Sequence, residues 1–162
     1  MTERLVMVRL IPSHFRFRVG YTPGSGRKVS EWAEGGGLLV VNGGYFTPEY
    51  QATGLLVSGG EAHGTPYGDF AGMFLVLPGG RVEVRWLGDR PYDPGEMILE
   101  GIQSFPVLVK PGGVLGFPPD ADDGRPARRT VVAQDREGRV LFIVAPRGYL
   151  TLSGLARWLV ES

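Results

Sequence analysis

A short polar and aromatic segment, Asn42-Gly43-Gly44-Tyr45-Phe46, directly follows the apolar run Leu38-Leu39-Val40-Val41. Two consecutive glycines let the backbone turn sharply and let a ligand approach the main chain closely. Asn42 supplies a hydrogen-bond donor and an acceptor, and Tyr45 and Phe46 supply flat apolar surface. A plain turn with aromatic side chains in the core fits these five residues better when they are taken alone. The functional interpretation therefore depends on the rest of the chain.

The composition excludes several kinds of site and partner. The 162 residues contain no cysteine, which excludes disulfides, thiolate zinc sites and a cysteine nucleophile. His14 and His63 are the only histidines, so we expect no metal site and no cofactor. Lys+Arg and Asp+Glu balance at 17 each, which predicts no nucleic-acid partner. No apolar run approaches the roughly 18 residues of a membrane span, and the N-terminus has no signal-peptide pattern.

Most of the chain has the pattern of short strands joined by tight turns. Residues 15–21 alternate apolar and polar side chains, which predicts a half-buried strand, and the apolar run 38–41 predicts a strand buried on both faces. Three hairpins are predicted around glycine-containing turns, and a fourth is indicated at Ser58-Gly59-Gly60. The three hairpins pair residues 73–77 with 81–86, 107–109 with 114–115, and 130–133 with 140–144.

Helix is scarce in the predicted structure. Leu152, Leu155, Ala156 and Leu159 follow the i, i+3, i+4, i+7 spacing of a helix face, and Thr151 is suited to cap the start. Residues 30–33 predict a single further turn. The sequence therefore predicts an α+β fold that is β-dominated, with mostly antiparallel hairpins packed with one main C-terminal helix, in a single domain over residues 1–162.

Five segments in order resemble the phosphodiester glycosidase family, to which the enzyme that uncovers mannose 6-phosphate belongs. The first is the strand ending in Asn-Gly-Gly-aromatic-Phe described above. The second to fourth are Gly54-Leu55-Leu56-Val57-Ser58-Gly59-Gly60, Gln103-Ser104-Phe105-Pro106-Val107-Leu108-Val109, and Arg128-Arg129-Thr130 followed by Asp135-Arg136-Glu137-Gly138. The fifth is the late helix from Thr151 to Leu159. The resemblance spans roughly residues 5 to 160.

The resemblance implies a hydrolase of glycosyl phosphodiesters acting on cell-envelope or exported glycans, with a glycan or sugar-phosphate substrate. Such a reaction needs a group that holds the phosphate charge, and Arg129 suits it because a guanidinium binds phosphate oxygens bidentately. Thr130 adds a hydroxyl, and Asn42 with the amides of Gly43 and Gly44 can bind substrate oxygens. We expect this glycine segment to form one side of a phosphate pocket opposite Arg129. A surface arginine is the alternative interpretation of Arg129.

Three further side chains are candidates for the same site. His63, in a polar stretch, is a candidate acid or base, although a solvated loop histidine is the more common situation. Gln103 and Ser104 are candidates to contact sugar hydroxyls, and capping of a strand end explains them equally well. Tyr45 is assigned to substrate binding through its ring. No carboxylate pair is selected by spacing; the candidates by chemistry alone are Asp69, Asp89, Asp93, Glu96 and Glu100.

The chain also departs from the family pattern at its C-terminus. The family continues past the late helix to an Asp-Gly-Gly-x-Ser segment, and this chain ends at Glu161-Ser162. A truncated piece, a strand supplied by a partner and a degenerate site are three explanations, of which we favour truncation. An open strand edge would permit a homo-oligomer. The rival functions are a non-catalytic sugar-phosphate or glycan binding module and a structural assembly domain. The acidic run Asp120, Asp122, Asp123 lacks the order of a calcium loop and is predicted to be a solvated loop.

Overall fold

The computed structural model describes residues 2–117 and 122–162. Its largest element is a five-stranded antiparallel sheet with the strand order β3-β2-β6-β4-β5. These strands are β2 (Leu56–Ser58), β3 (Glu61–His63), β4 (Gly72–Val76), β5 (Val82–Trp86) and β6 (Glu100–Ser104).

A second sheet of three antiparallel strands has the order β1-β10-β9. The described residues also form a two-stranded ribbon, β7-β8, two α-helices and two short 3-10 segments at Pro12–His14 and Pro78–Gly80. The bounds are β1 (Val6–Leu10), β7 (Val109–Lys110), β8 (Val114–Leu115), β9 (Ala127–Gln134), β10 (Val140–Leu150), α1 (Val29–Ala33) and α2 (Leu152–Glu161). The predicted β-dominated α+β class, with antiparallel strands and one main C-terminal helix, is confirmed. No helix in the described ranges is both long and apolar enough to cross a membrane.

All four predicted hairpins are present, as β2-β3, β4-β5, β7-β8 and β9-β10. Their turns depend on glycines in the left-handed region that other residues rarely adopt. In the β4-β5 turn, Gly79 and Gly80 have φ of 77° and 78°. Turn chemistry of this kind is local, which explains why the sequence alone located the hairpins.

The five-stranded sheet has a separate apolar cluster on each face. Alternation along β4 directs Phe74 and Val76 to one face and Met73 and Leu75 to the other. The Phe74 face packs against the three-stranded sheet through Val140. The Met73 face is covered by connecting segments whose contributions include Leu87, Ile98, Tyr67 and Tyr92.

One glutamine links the two sheets. Gln134, at the end of β9, accepts a hydrogen bond from Val84 N at 3.2 Å and donates to Val82 O at 3.1 Å. Its amide therefore makes the hydrogen bonds that a neighbouring strand would make along the outer edge of β5. The link fixes β9 relative to the five-stranded sheet, and β9 carries two of the predicted site residues, Arg129 and Thr130.

Two sequence expectations about strands were wrong. Residues 38–41 form no strand, and Leu38 is 92% exposed. The prediction failed because an apolar run does not by itself identify a buried strand. Residues 15–21 show the predicted alternation, with Phe17 and Val19 turned inward, but they lie between the sheets without strand pairing. Val19 is held instead by its N–H donating to the Glu100 carboxylate at 3.0 Å and its carbonyl accepting from Ser58.

The C-terminal helix begins and is capped as predicted. Thr151 Oγ1 accepts a hydrogen bond from Gly154 N at 3.0 Å. Asp122 adds a second cap by accepting from Ser153 N at 2.7 Å. The prediction that the acidic run is only a solvated loop is therefore wrong for Asp122, whereas Asp120 lies outside the described residues. Hydrogen bonds from the Ser153 side chain and backbone lower the pKa of Asp122, because they favour its charged form.

Candidate active site

A hydrogen bond joins two of the predicted site residues across 88 positions of sequence. Thr130 Oγ1 donates to Asn42 Oδ1 at 2.6 Å. Thr130 shares a face of β9 with Val132, and Val132 packs against the five-stranded sheet. The contact therefore lies where the glycine segment crosses the end of the gap between the two sheets. Because Asn42 is exposed, its amide NH₂ is available to a ligand.

Gly43 and Gly44 lie directly over β6, close enough to exclude side chains. A Cβ on Gly44 would be 2.8 Å from the Gln103 carbonyl oxygen, and one on Gly43 would be 2.6 Å from the Ile102 Cδ1 atom. Neither glycine is in the left-handed region. Space rather than backbone conformation therefore disfavours a side chain at both positions. The stricter constraint is at Gly44, because its neighbour is backbone, whereas the neighbour of Gly43 is the end of a flexible side chain.

Tyr45 continues the segment towards the end of β6. Its hydroxyl donates to Phe105 O at 2.9 Å, and the two rings lie 4.8 Å apart between centroids. The ring of Tyr45 is nevertheless half exposed. Tyr45 therefore presents its ring rather than its hydroxyl to solvent.

Arg129 is not directed into the same space as Thr130. The pairing of β9 with β10 is regular at this point, with Arg129 opposite Ala145 and Thr130 opposite Val144. Alternation therefore places the Arg129 and Thr130 side chains on opposite faces of the strand. The Arg129 Nη2 donates to Arg125 O at 3.4 Å, and its Nε is buried without a hydrogen-bond partner. Within the described ranges no carboxylate lies within 4.0 Å of this guanidinium, which leaves its charge uncompensated there.

His63 lies on the outer strand β3, on the same face of the sheet as the glycine segment. The strand pairings place His63 beside Leu56 and Leu56 beside Ile102, over which Gly43 lies. Two strand spacings separate His63 from Ile102, a distance of about 10 Å. The imidazole packs on Tyr21 at 4.9 Å between centroids and lies 3.9 Å from the Glu61 carboxylate. The structure thus does not bring His63 into contact with Asn42 or Thr130.

Gln103 and Ser104 have different surroundings although they are neighbours. Gln103 is 1% exposed, and its Oε1 accepts from Tyr67 N at 2.7 Å and from Leu55 N at 3.3 Å. These contacts use the amide oxygen to hold two other segments against β6. Ser104 is exposed at the end of the strand. Of the two, Ser104 is the residue whose hydroxyl a ligand can reach in this conformation.

Most of the candidate carboxylates are already engaged in structural contacts. Glu96 pairs with Arg85, which is 7% exposed, through two hydrogen bonds of 2.7 and 2.9 Å. Glu100 accepts from Val19 N and Gly59 N, and Asp93 accepts from Gly95 N in a turn. Asp69 and Asp89 are exposed. In the described part of the chain no group of three or more potential ligands is arranged to hold a metal ion.

Sequence reasoning missed β6, although the glycine segment lies over this strand and Gln103 and Ser104 belong to it. Glu100-Gly101-Ile102-Gln103-Ser104 has one apolar residue in five and gives no strand pattern. Pairing with β2 and β4 on either side makes it the central strand, so long-range hydrogen bonds decide its structure. The one available signal was the glycine at position 101, because a Cβ there would meet Met73 at 2.9 Å in the core.

The fold and site together define a two-sheet β-rich domain with a backbone-lined polar site at the gap between its sheets. The sequence model of the phosphodiester glycosidase family matches residues 35–162. This chain therefore belongs to the phosphodiester glycosidase family, a family of glycosyl phosphodiester hydrolases, as the order of the sequence motifs suggested.

The fold agrees with a solved structure of this kind. The chain is similar to the catalytic domain of zebrafish N-acetylglucosamine-1-phosphodiester alpha-N-acetylglucosaminidase, solved in a form auto-inhibited by its pro-peptide. The TM-score is 0.56 and the identity 22%, over 74% of this chain and 46% of that chain. The chain thus spans less than half the length of that domain. No curated protein matches the sequence significantly.

Proposed function

We propose that this chain hydrolyses glycosyl phosphodiesters, the linkage between a sugar's anomeric oxygen and a phosphate, on cell-envelope or exported glycans. The observation that carries the proposal is the hydrogen bond between Asn42 and Thr130 in a member of this family. It joins the glycine segment to β9, the strand that also bears Arg129 on its opposite face. Hydrogen-bond donors fixed in this way can stabilise negative charge as it develops on a phosphate.

Arg129 is proposed to bind the phosphate at the β9 edge of the three-stranded sheet. Strand β9 is the outer strand of the three-stranded sheet, so side chains on both of its faces border the same edge. The buried Nε of Arg129 without a partner supports an anion there, because an unpaired buried donor is costly unless a ligand satisfies it. Asn42 and the Gly43 and Gly44 amides bind the remaining oxygens, Tyr45 and Ser104 contact the sugar, and His63 is retained as the proposed acid or base.

The test is turnover of a simple sugar phosphodiester by the 162-residue protein. The substrate is the methyl phosphodiester of N-acetylglucosamine 1-phosphate, and released sugar is measured by proton NMR. Arg129→Ala should lower turnover by about 10²–10³-fold, the usual cost of losing one charge-stabilising donor. Arg128→Ala is the matched control, since Arg128 is exposed on the adjacent position, and it should retain activity. Wild-type turnover no faster than that of Arg129→Ala would contradict the proposal.

A non-catalytic binding module is the second candidate function. It is favoured by the fact that, in residues 2–117 and 122–162, no carboxylate or histidine hydrogen bonds to Asn42 or Thr130. Calorimetry with N-acetylglucosamine 1-phosphate would then show binding that Arg129→Ala weakens, in a protein without turnover. Binding with turnover supports the enzyme, and the absence of heat with any sugar phosphate contradicts both functions. Assembly through an open strand edge stays a prediction for sedimentation to test.

A further inference from the structure

Four aromatic side chains form a continuous surface at the end of β6, which we call the aromatic platform. Its members are Tyr45, Tyr67, Phe70 and Phe105. Phe105 lies at its centre, with its ring centroid 4.8 Å from that of Tyr45, 5.3 Å from Tyr67 and 5.6 Å from Phe70. Three of the rings are not buried as core aromatics would be, since Phe70 is 57%, Tyr45 50% and Phe105 39% exposed, whereas Tyr67 is partly buried against the core.

Hydrogen bonds hold two of the platform's side chains, Tyr45 and Tyr67, in place. The Tyr45 hydroxyl donates to Phe105 O, the Tyr67 hydroxyl is paired with Thr53 Oγ1, and Tyr67 N donates to the buried Gln103 amide. Both phenol hydroxyls are therefore used within the protein. What remains for a ligand is the apolar faces and edges of the rings, and for Tyr45 and Tyr67 the ordering cost has already been met on folding. Phe70 is positioned by its ring contacts with Tyr67 and Phe105.

The platform is continuous with the proposed phosphate site. Tyr45 belongs to the platform and follows Gly44 directly in sequence. Asn42 and Tyr45 are three positions apart, so their Cα atoms are at most about 11 Å apart. A ligand whose phosphate contacts Asn42 can therefore place the group attached to that phosphate on the rings.

We infer that the aromatic platform is the subsite for the pyranose ring of a glycosyl phosphodiester, and this inference rests on the proposed function. The electron-rich faces of aromatic rings attract the slightly positive C–H groups on the apolar side of a sugar ring, as they attract the positive edges of other rings. The sugar's hydroxyls need polar partners at the border. Ser104 precedes Phe105, and Asp69 lines a pocket of about 170 Å³ that also includes Tyr67.

The size of the platform favours a sugar over a protein partner. Four aromatic side chains of roughly 200 Å² each, about half exposed or less, present at most about 400 Å². A stable protein interface takes roughly 800 Å² from each partner. The platform offers about half of that area. Its rings lie at 40°, 80° and 71° to Phe105, and this set of ring faces and edges suits a small ring-shaped ligand.

The test compares ligands that contain the phosphate, the sugar or both. Isothermal titration is performed with N-acetylglucosamine 1-phosphate, inorganic phosphate and methyl N-acetylglucosaminide. Phe70→Ala removes the most exposed ring and should weaken binding of the sugar phosphate about tenfold, with the affinity for inorganic phosphate unchanged. Phe70→Tyr should restore binding and Phe70→Leu should not, because the face of the ring rather than its apolarity is required. Phe15→Ala, which removes a 41% exposed ring elsewhere, is the control.

Saturation-transfer NMR from the aromatic resonances to methyl N-acetylglucosaminide gives an independent readout. Wild type should show transfer to the sugar C–H protons, and Phe70→Ala should show much less. Equal sugar-phosphate affinity in wild type and Phe70→Ala, or no transfer to the glycoside, would overturn the inference. Transfer to the glycoside without any binding of phosphate would leave the platform supported and the proposed function refuted. Sugar-phosphate binding that depends on Arg129 but not on Phe70 would support the proposed function and refute the role of the platform.

Discussion

Thr130 Oγ1 donates a hydrogen bond of 2.6 Å to Asn42 Oδ1, and this contact closes the site between two segments that no local structure connects. It orients the Asn42 amide, because using the oxygen inside the protein leaves the NH₂ group facing outward. It also ties the glycine segment to β9. The bond therefore fixes both the position of the segment and the orientation of the amide.

The first prediction concerns this pair. Thr130→Val removes the donor while keeping the shape of the side chain, and Asn42→Ala removes the acceptor. Each should lower the free energy of unfolding by about 1 kcal/mol, the usual net contribution of one hydrogen bond, and the double variant should cost less than the sum. Urea denaturation of the four proteins measures the coupling. Strict additivity would show that the two side chains do not interact.

Substitution by alanine is expected to reduce stability by different amounts at Gly44 and Gly43. Gly44→Ala would place a Cβ 2.8 Å from the Gln103 carbonyl oxygen, which cannot move without disturbing the central strand. It should cost about 1–3 kcal/mol. Gly43→Ala meets only the mobile end of Ile102, so its cost should be smaller. Chemical denaturation checks the order, and an equal cost at both positions would contradict the packing explanation.

A pH dependence is expected from the buried pair of Glu96 and Arg85. Hydrogen bonds from Arg85 lower the pKa of Glu96 below its ordinary 4.5, although partial burial opposes the shift. A carboxyl with a lowered folded pKa contributes stability that is present above 4.5 and is lost as the pH falls through the folded value. Glu96→Gln should cost about 1–3 kcal/mol at pH 7, since Arg85 keeps Glu83 at 2.8 Å as a second partner, and should flatten the loss of stability below pH 4.5.

The control for this experiment is Glu137→Gln. Glu137 pairs with Arg139 at 2.9 Å, but its side chain is 69% exposed. Solvent screening makes such an exposed pair weak. Thermal or urea unfolding between pH 3 and 7 should therefore separate the two variants. Similar pH profiles for both would show that burial of Arg85 does not strengthen its pair.

We expect a second acid-sensitive contact at the start of α2, which is made by Asp122. Its carboxylate accepts from Ser153 N, and the Ser153 hydrogen bonds lower its pKa. The stabilisation is therefore present at neutral pH and is lost as the pH falls through the lowered value. Asp122→Asn should lower the melting temperature at pH 7, while Asp123→Asn, which contacts only the neighbouring loop, should change it less. Equal effects would show that the cap does not stabilise the helix.

Features of the fold with local causes could be predicted from the sequence, whereas features set by tertiary packing could not. Glycine turns such as Gly79-Gly80 and the Thr151 cap act within a few residues, and both were predicted. The apolar run at Leu38 was misinterpreted because only tertiary packing distinguishes a buried strand from an exposed loop. The opposite directions of Arg129 and Thr130 follow from alternation on one strand, yet they became visible only once the register of β9 was known.

The last prediction separates a structural from a ligand-binding role for Gln103. Its amide oxygen accepts from Tyr67 N and Leu55 N inside the core, and the side chain is 1% exposed. Gln103→Met keeps the volume but leaves two buried N–H groups without a partner, which should cost about 2–4 kcal/mol. Ser104→Ala, on the exposed neighbour, should leave stability nearly unchanged. If instead Gln103→Met is as stable as wild type but binds N-acetylglucosamine 1-phosphate more weakly, Gln103 contacts the ligand directly and must turn outward to do so.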